Sequence, residues 1–174
     1  MQRLACKGLF TRARLQDPVC RETIPDSTRQ ETMKPSLSPP ASLPKDATVL
    51  VVEDDVTNFV VIARILSYLG IQYEWKTSGY EVVEYAHSLP RLDLILMDIR
   101  LPFEDGYTAL RKIRSSHHLK ETLVVAVTVD PSPEQMRLAR EATFDGFISK
   151  PLDPNRFPDQ IQRILAREPV WEPG

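Results

Sequence analysis

The sequence predicts a three-layer α/β/α sandwich, and three observations carry that prediction. From residue 47 onward, short apolar runs alternate with segments of helical period five times over. The middle runs are apolar at every position rather than at every second one, as a parallel sheet covered by helices on both faces requires. Turn residues punctuate the alternation, among them Gly70 after the first helical segment and Pro90 after the second.

Taken in order, ATVLVVE (47–53) is a β-rich run, and NFVVIARILSYLG (58–70) has helical spacing with a closing glycine. IQYEWK (71–76) reads as a second strand and GYEVVEYAHSL (79–89) as a helix. LDLILMD (92–98) is the third strand, followed by a helix over GYTALRKIRSS (106–116) and a fourth strand over ETLVVAVT (121–128). SPEQMRLAREA (132–142) is a helix with Ser132 as its cap and Pro133 at its first position. GFISK (146–150) is a short fifth strand, and PNRFPDQIQRILARE (154–168) a last helix. The domain therefore spans 47–168, with 169–174 as a short C-terminal tail.

Residues 1–46 behave differently. They hold six prolines, including those of KPSLSPPASLP, and no sustained period, so they read as a disordered Pro-rich tail. That segment carries eight Lys/Arg against five Asp/Glu, while the remainder carries fourteen against nineteen. A solvated extension is the simplest account of it, with contact to a membrane or partner as the other.

Composition removes several function classes. A net charge of −2 speaks against general nucleic-acid binding, and no apolar run approaches the ~20 residues that span a bilayer. Arg3 and Lys7 precede LACKGLF, which breaks into TRARLQD before a secretory apolar core forms. Cys6 and Cys20 both lie in the tail, so no disulfide framework supports the domain. A cytoplasmic protein is expected.

The chemistry of a doubly wound parallel sheet sits beyond the carboxyl ends of its strands. Here the first strand ends in Glu53-Asp54-Asp55, the third in Asp98, the fourth in Thr128 and the fifth in Lys150-Pro151. Acids so close together repel unless a cation is present. A hard divalent ion such as Mg²⁺, which keeps waters and phosphate oxygens beside one or two carboxylates, suits that set. A carboxylate is also a nucleophile toward phosphorus, and phosphoryl transfer asks mostly for positioning and charge neutralisation. Lys150 and Thr128 supply an ammonium and a hydroxyl for that purpose.

These pieces, VLVVEDD (49–55), LILMDIRLPFEDG (94–106), VVAVT (124–128) and GFISKP (146–151), resemble the receiver domain of two-component response regulators over about residues 47–167. The resemblance implies a flavodoxin-like, five-stranded parallel sheet of order 2-1-3-4-5. It implies Asp98 as phosphoacceptor, Glu53 and Asp54 as the acidic pair holding Mg²⁺ with Asp98, and the backbone carbonyl of Arg100 as a further metal ligand. Thr128 then corresponds to the switch hydroxyl, Phe147 to the switch aromatic and Lys150 to the phosphate-pairing lysine. Pro102 and Gly106 shape the loop after Asp98 and start the next helix. In this family Pro151 follows a cis bond.

Plainer readings stand beside these. Asp55 reads as a cap of the first helix rather than a ligand, and Trp75 as packing rather than a nucleobase platform. Thr128 is also an ordinary β-branched strand end, and Phe147 also a core residue. His117-His118 reads as a solvated loop, with metal binding as the other reading. Val129, after the switch threonine, departs from the family's preference for a small residue and is expected to narrow access to Asp98. Arg100 and Asp130, of opposite charge, are expected to pair across the mouth.

The expected function is that of a stand-alone response regulator. It takes a phosphoryl group from a histidine kinase or phosphotransfer protein and acts through contact of its fourth helix, fifth strand and fifth helix with a downstream protein. Only EPVWEPG follows the last helix, which leaves output to protein contact. The alternative is a receiver-like interaction module that works without phosphorylation. An enzyme in its own right is not expected: neither GxGxxG nor GxxxxGK[ST] occurs, and Arg100 stands where an aspartyl phosphatase would carry a second acid.

Overall fold

The computed structural model describes residues 46–172, so the tail expected over 1–46 lies, but for Asp46, outside the described residues. The elements run β1 (Thr48–Val52), α1 (Val56–Tyr68), β2 (Gln72–Lys76), α2 (Val82–Ser88), β3 (Leu94–Asp98) and α3 (Gly106–Ser115). Then come β4 (Leu123–Thr128), α4 (Pro133–Glu141), β5 (Gly146–Ser149), α5 (Phe157–Leu165) and β6 (Trp171–Glu172). The sheet is parallel throughout, in the order β2-β1-β3-β4-β5-β6. The first five strands stand in the expected order. The sixth is a correction to the expected sheet and tail, because residues 171 and 172 pair with β5.

Period-two alternation in the strands divides the core into two layers. Val49, Val51, Leu94, Leu96, Val125, Val127 and Ile148 face Ile62 and Leu66 of α1 and Ile161 and Ile164 of α5. Leu50, Val52, Ile95, Met97, Val124, Ala126 and Phe147 face Val82 of α2, Leu110 and Ile113 of α3, and Ala139 of α4. Burial on both faces explains why β3 and β4 read as unbroken apolar runs. β2, at the edge, leaves Gln72 and Glu74 exposed.

Local chemistry sets the helix starts. Asp55 caps α1, accepting from the amides of Thr57 at 2.6 Å and Asn58 at 3.1 Å. Asp105 caps α3 through the Thr108 amide, and Ser132 caps α4 through that of Gln135, with Pro133 at the first position. Expected helices over 79–89 and 154–168 are shorter in the structure. Glu81 lies in the left-handed region at φ 64° and offers no side-chain cap, so α2 begins only at Val82. Before α5, Asp153 accepts from the backbone of Asn155, Arg156 and Phe157, a turn that postpones the helix to Phe157. Among the described residues no helix is long and apolar enough to cross a membrane.

Two contacts fix the ends of β3. At its start, Asp93 accepts from the Thr48 amide of β1 at 2.9 Å and from Arg91 Nε at 2.8 Å. At its far end, Gly106 packs against the strand so closely that a Cβ there would lie 2.5 Å from the Asp98 carbonyl oxygen. The first residue of α3 must therefore be glycine for the helix to start directly behind Asp98.

Two outcomes follow from these contacts. Partial burial pushes the Asp93 carboxyl up, but the Arg91 guanidinium and the Thr48 amide outweigh it and hold the carboxyl below its ordinary range. A group depressed on folding stabilises fully above its unfolded pKa and loses that contribution as pH falls through the folded value. Asp93→Asn should cost about 1 kcal/mol at neutral pH, discounted for solvent screening, and almost nothing below the folded pKa. Urea unfolding at both pH values measures it. Gly106→Ala should cost about 1–3 kcal/mol through the backbone shift that its Cβ demands, read by the same titration at neutral pH.

Candidate functional site

The parallel register brings the carboxyl ends of β1, β3, β4 and β5 to one rim. Asp98 closes β3 with only 7% of its surface exposed, and Glu53, one residue beyond β1, is 1% exposed. Lys150, one residue beyond β5, places its Nζ 2.5 Å from Asp98 Oδ2 and 2.6 Å from Glu53 Oε2. The second oxygen of each carboxylate is also engaged. Asp98 Oδ1 accepts from the Arg100 amide at 2.8 Å, and Glu53 Oε1 from Asn58 Nδ2 at 3.0 Å.

Burial pushes the Glu53 carboxyl above its ordinary range, against the hydrogen bonds from Lys150 and Asn58, which favour the carboxylate. One ammonium thus serves two buried acids, with exposed Asp54 as a third nearby. Glu53, Asp54 and Asp98 each offer an oxygen within 4.8 Å of the others'. An all-carboxylate donor set of this kind fits a hard divalent cation and would relieve the crowding of negative charge.

Thr128 is fully buried at the end of β4, where its Oγ1 accepts from the Asp130 amide at 3.3 Å and its carbonyl from the Lys150 amide at 2.7 Å. The Lys150–Pro151 bond is cis. Arg100 and Asp130 approach to 3.6 Å across the mouth, an exposed pair of small energetic weight. Val129 is 55% exposed on the same rim. Phe147 is fully buried in the core layer that also holds Leu50, Ile95 and Ala126.

Two contributors escaped the sequence reading. Asn58 reads as an ordinary polar residue in the first turn of a helix, yet it orients Glu53. Its signal is the spacing of three from the cap Asp55, which turns a residue of α1 back over the strand end. Trp75 stacks on Phe59 with ring centroids 4.1 Å apart, as packing was expected to, and its indole N–H also donates to the Glu53 carbonyl at 2.8 Å. That bond steadies the backbone from which the first acid projects. His117 and His118 are exposed in the connection after α3, with His118 against the ring of His87. They lie outside this rim.

The arrangement offers a buried carboxylate at a strand end, an ammonium touching it, a hydroxyl on the adjacent strand and acids able to hold a cation. The model of the response regulator receiver domain matches residues 49–162. The chain is 33% identical over 127 residues to the signal transduction histidine-protein kinase BarA of Escherichia coli (strain K12), covering 73% of this chain but 13% of that protein. It therefore spans only a small part of such relatives. The probable methanogenesis regulatory protein FilR2 of Methanothrix harundinacea is 32% identical over 132 residues, covering 71% of this chain and 82% of that protein.

Among solved structures, the receiver domain of the sensor histidine kinase PA1611 from Pseudomonas aeruginosa PAO1 has magnesium coordinated in its active-site cleft. It shares 32% identity and a TM-score of 0.61 over 70% of this chain and 96% of that one. The chemotaxis protein CheY4 of Vibrio cholerae matches at 25% identity and a TM-score of 0.64, over 68% and 98%. With the motif spacing, the strand order and the match over 49–162 in agreement, this chain belongs to the response regulator receiver domain family, related both to the receivers of histidine kinases and to chemotaxis-type regulators.

Proposed function

We propose that Asp98 accepts a phosphoryl group from the phosphohistidine of a histidine kinase or phosphotransfer protein, and that the phosphorylated receiver acts through contact with a downstream protein. The observation that carries this reading is the Lys150 ammonium held between Asp98 and Glu53 at 2.5 and 2.6 Å in a buried rim. An Asp98 oxygen forms the new P–O bond while the P–N bond of the donor breaks, its electron pair remaining on the imidazole. Asp98 then no longer carries the charge that Lys150 neutralises, and the ammonium is free to pair with phosphoryl oxygens. Thr128 accepts a hydrogen bond from Asp130 and keeps its own O–H proton to donate to the same group.

Glu53, Asp54 and Asp98, with the Arg100 carbonyl that the family resemblance adds, are the residues that would hold Mg²⁺. When bound, the ion neutralises charge on the phosphoryl oxygens and on the acids. The receiver's own chemistry is confined to gaining and losing that group. Single-domain operation is supported by FilR2, matched over most of its length, and a kinase-type donor by BarA and PA1611. The helix α4, strand β5 and helix α5 supply the contact surface.

Incubation with acetyl phosphate and Mg²⁺, followed by intact mass, should show a single added phosphoryl group that is lost in Asp98→Asn. Persistence of the adduct in that variant sinks the assignment, and absence of any adduct on the native chain leaves the phosphorylation-independent module. Asp54→Ala should weaken Mg²⁺ binding and loading together; Trp75, bonded to the Glu53 carbonyl, is the fluorescent reporter. Unchanged affinity would make the acidic pair structural.

Val129→Ala tests the bulk at the rim. Both loading and loss of phosphate should quicken, by up to about tenfold, which corresponds to ~1.4 kcal/mol of barrier. Unchanged rates would mean the valine does not border the approach path.

A further inference from the structure

The sixth strand is seated in a prepared groove. Val170 is fully buried and its carbonyl accepts from the Phe147 amide at 2.7 Å, while Trp171 and Glu172 pair in parallel with Phe147 and Ile148. Gly146 makes room for it, since a Cβ there would lie 2.8 Å from the Val170 carbonyl oxygen. Trp171 lies under Arg140 of α4, whose guanidinium carbon is 4.0 Å from the indole centroid.

The Glu172 carboxylate is the focus of α5. Arg163 donates to one oxygen at 2.7 Å, and Arg156 and the buried Gln160 donate to the other at 2.8 Å. Three arginines and a buried amide thus converge on a segment of three residues: one apolar, one aromatic, one acidic. If that segment leaves, the backbone edge of β5 is open, Gln160 loses its acceptor, and Arg140 and Arg156 lose the contacts just described.

We propose that the β5 edge, flanked by Arg140, Arg156, Gln160 and Arg163, is a strand-accepting docking site. Its partner is an extended segment of another protein carrying an apolar residue, an aromatic and an acid in succession, and Val170–Glu172 is its built-in occupant. Backbone hydrogen bonds to β5 supply affinity, and the guanidiniums select the aromatic and the acid. The occupant is tethered to α5 by Ala166–Pro169, and so short a tether holds it at an effective concentration of roughly millimolar. A partner must compete with that, so the site is masked in the resting chain. The proposal specifies how the surface of α4, β5 and α5 named above takes its partner, and it does not require phosphorylation of Asp98.

The test uses the full chain with Trp171→Ala and Glu172→Ala combined, and a fluorescein-labelled peptide EPVWE corresponding to residues 168–172, followed by fluorescence polarisation. The peptide should bind the double variant at least about tenfold more tightly than the native chain. It should lose that binding when its own glutamate, matching Glu172, is replaced by lysine. A second full-chain variant, Glu172→Lys, keeps Trp171 and changes only an edge side chain; it should likewise admit the peptide. Equal binding to native and variant chains, or none to a variant that still unfolds cooperatively, overturns the proposal. Loading by acetyl phosphate, measured on the same proteins, reports separately on Asp98.

Discussion

Everything at the rim depends on one ammonium shared by two buried carboxylates. Glu53 and Asp98 come from different strands, and neither is exposed enough for water to stabilise its charge. Lys150 reaches both because β5 ends one position short of it and its amide is bonded to the Thr128 carbonyl. Removing the lysine would leave two uncompensated buried acids, a costly arrangement in a low-dielectric setting. Two acids with one ammonium still leave an excess of negative charge, and exposed Asp54 adds to it. The rim therefore carries more negative charge than its one ammonium neutralises, and a hard divalent cation would offset the remainder.

That rim was legible because period and position coincide in the sequence. Apolar runs buried on both faces locate β1, β3 and β4, and whatever follows the last apolar residue of each falls at the carboxyl edge. Helix starts with a capping side chain, Asp55 and Ser132, were equally plain. The start of α2 was not, because its boundary is set by a left-handed glutamate that no propensity marks. β6 was hidden for a different reason. Two residues have no period, and their pairing depends on the missing side chain at Gly146, more than twenty residues earlier. Asn58 and Trp75 were missed as site residues because their roles are exerted on Glu53, through a side-chain bond and a backbone bond that only tertiary structure defines.

The backbone around the rim is also held from behind. Gly106 lets α3 begin against the Asp98 carbonyl, and its own amide donates to the Ile99 carbonyl at 3.0 Å. The loop between is thereby folded back on the strand, which brings the Arg100 amide to Asp98 Oδ1. Gly106 in this loop thus acts on the orientation of one carboxylate. The spacing that looks like a motif in the sequence is the geometry of that return.

β5 joins the two regions of interest. It is only four residues long, and it is paired on one side with β4 and on the other with β6. Its amino end, at Gly146 and Phe147, meets Val170 and Trp171; just past its carboxyl end, Lys150 meets the acids. A strand laddered on both sides shifts only with its neighbours, so any coupling between its outer edge and Lys150 would run along β5. Linkage makes that relation reciprocal. If rearrangement at Lys150 alters the fit of residues 170–172 along β5, then whatever fills that edge alters the rearrangement by the same free energy. The length of β5 sets the distance over which this acts, about 10 Å from Phe147 to Lys150 at the usual rise of an extended chain.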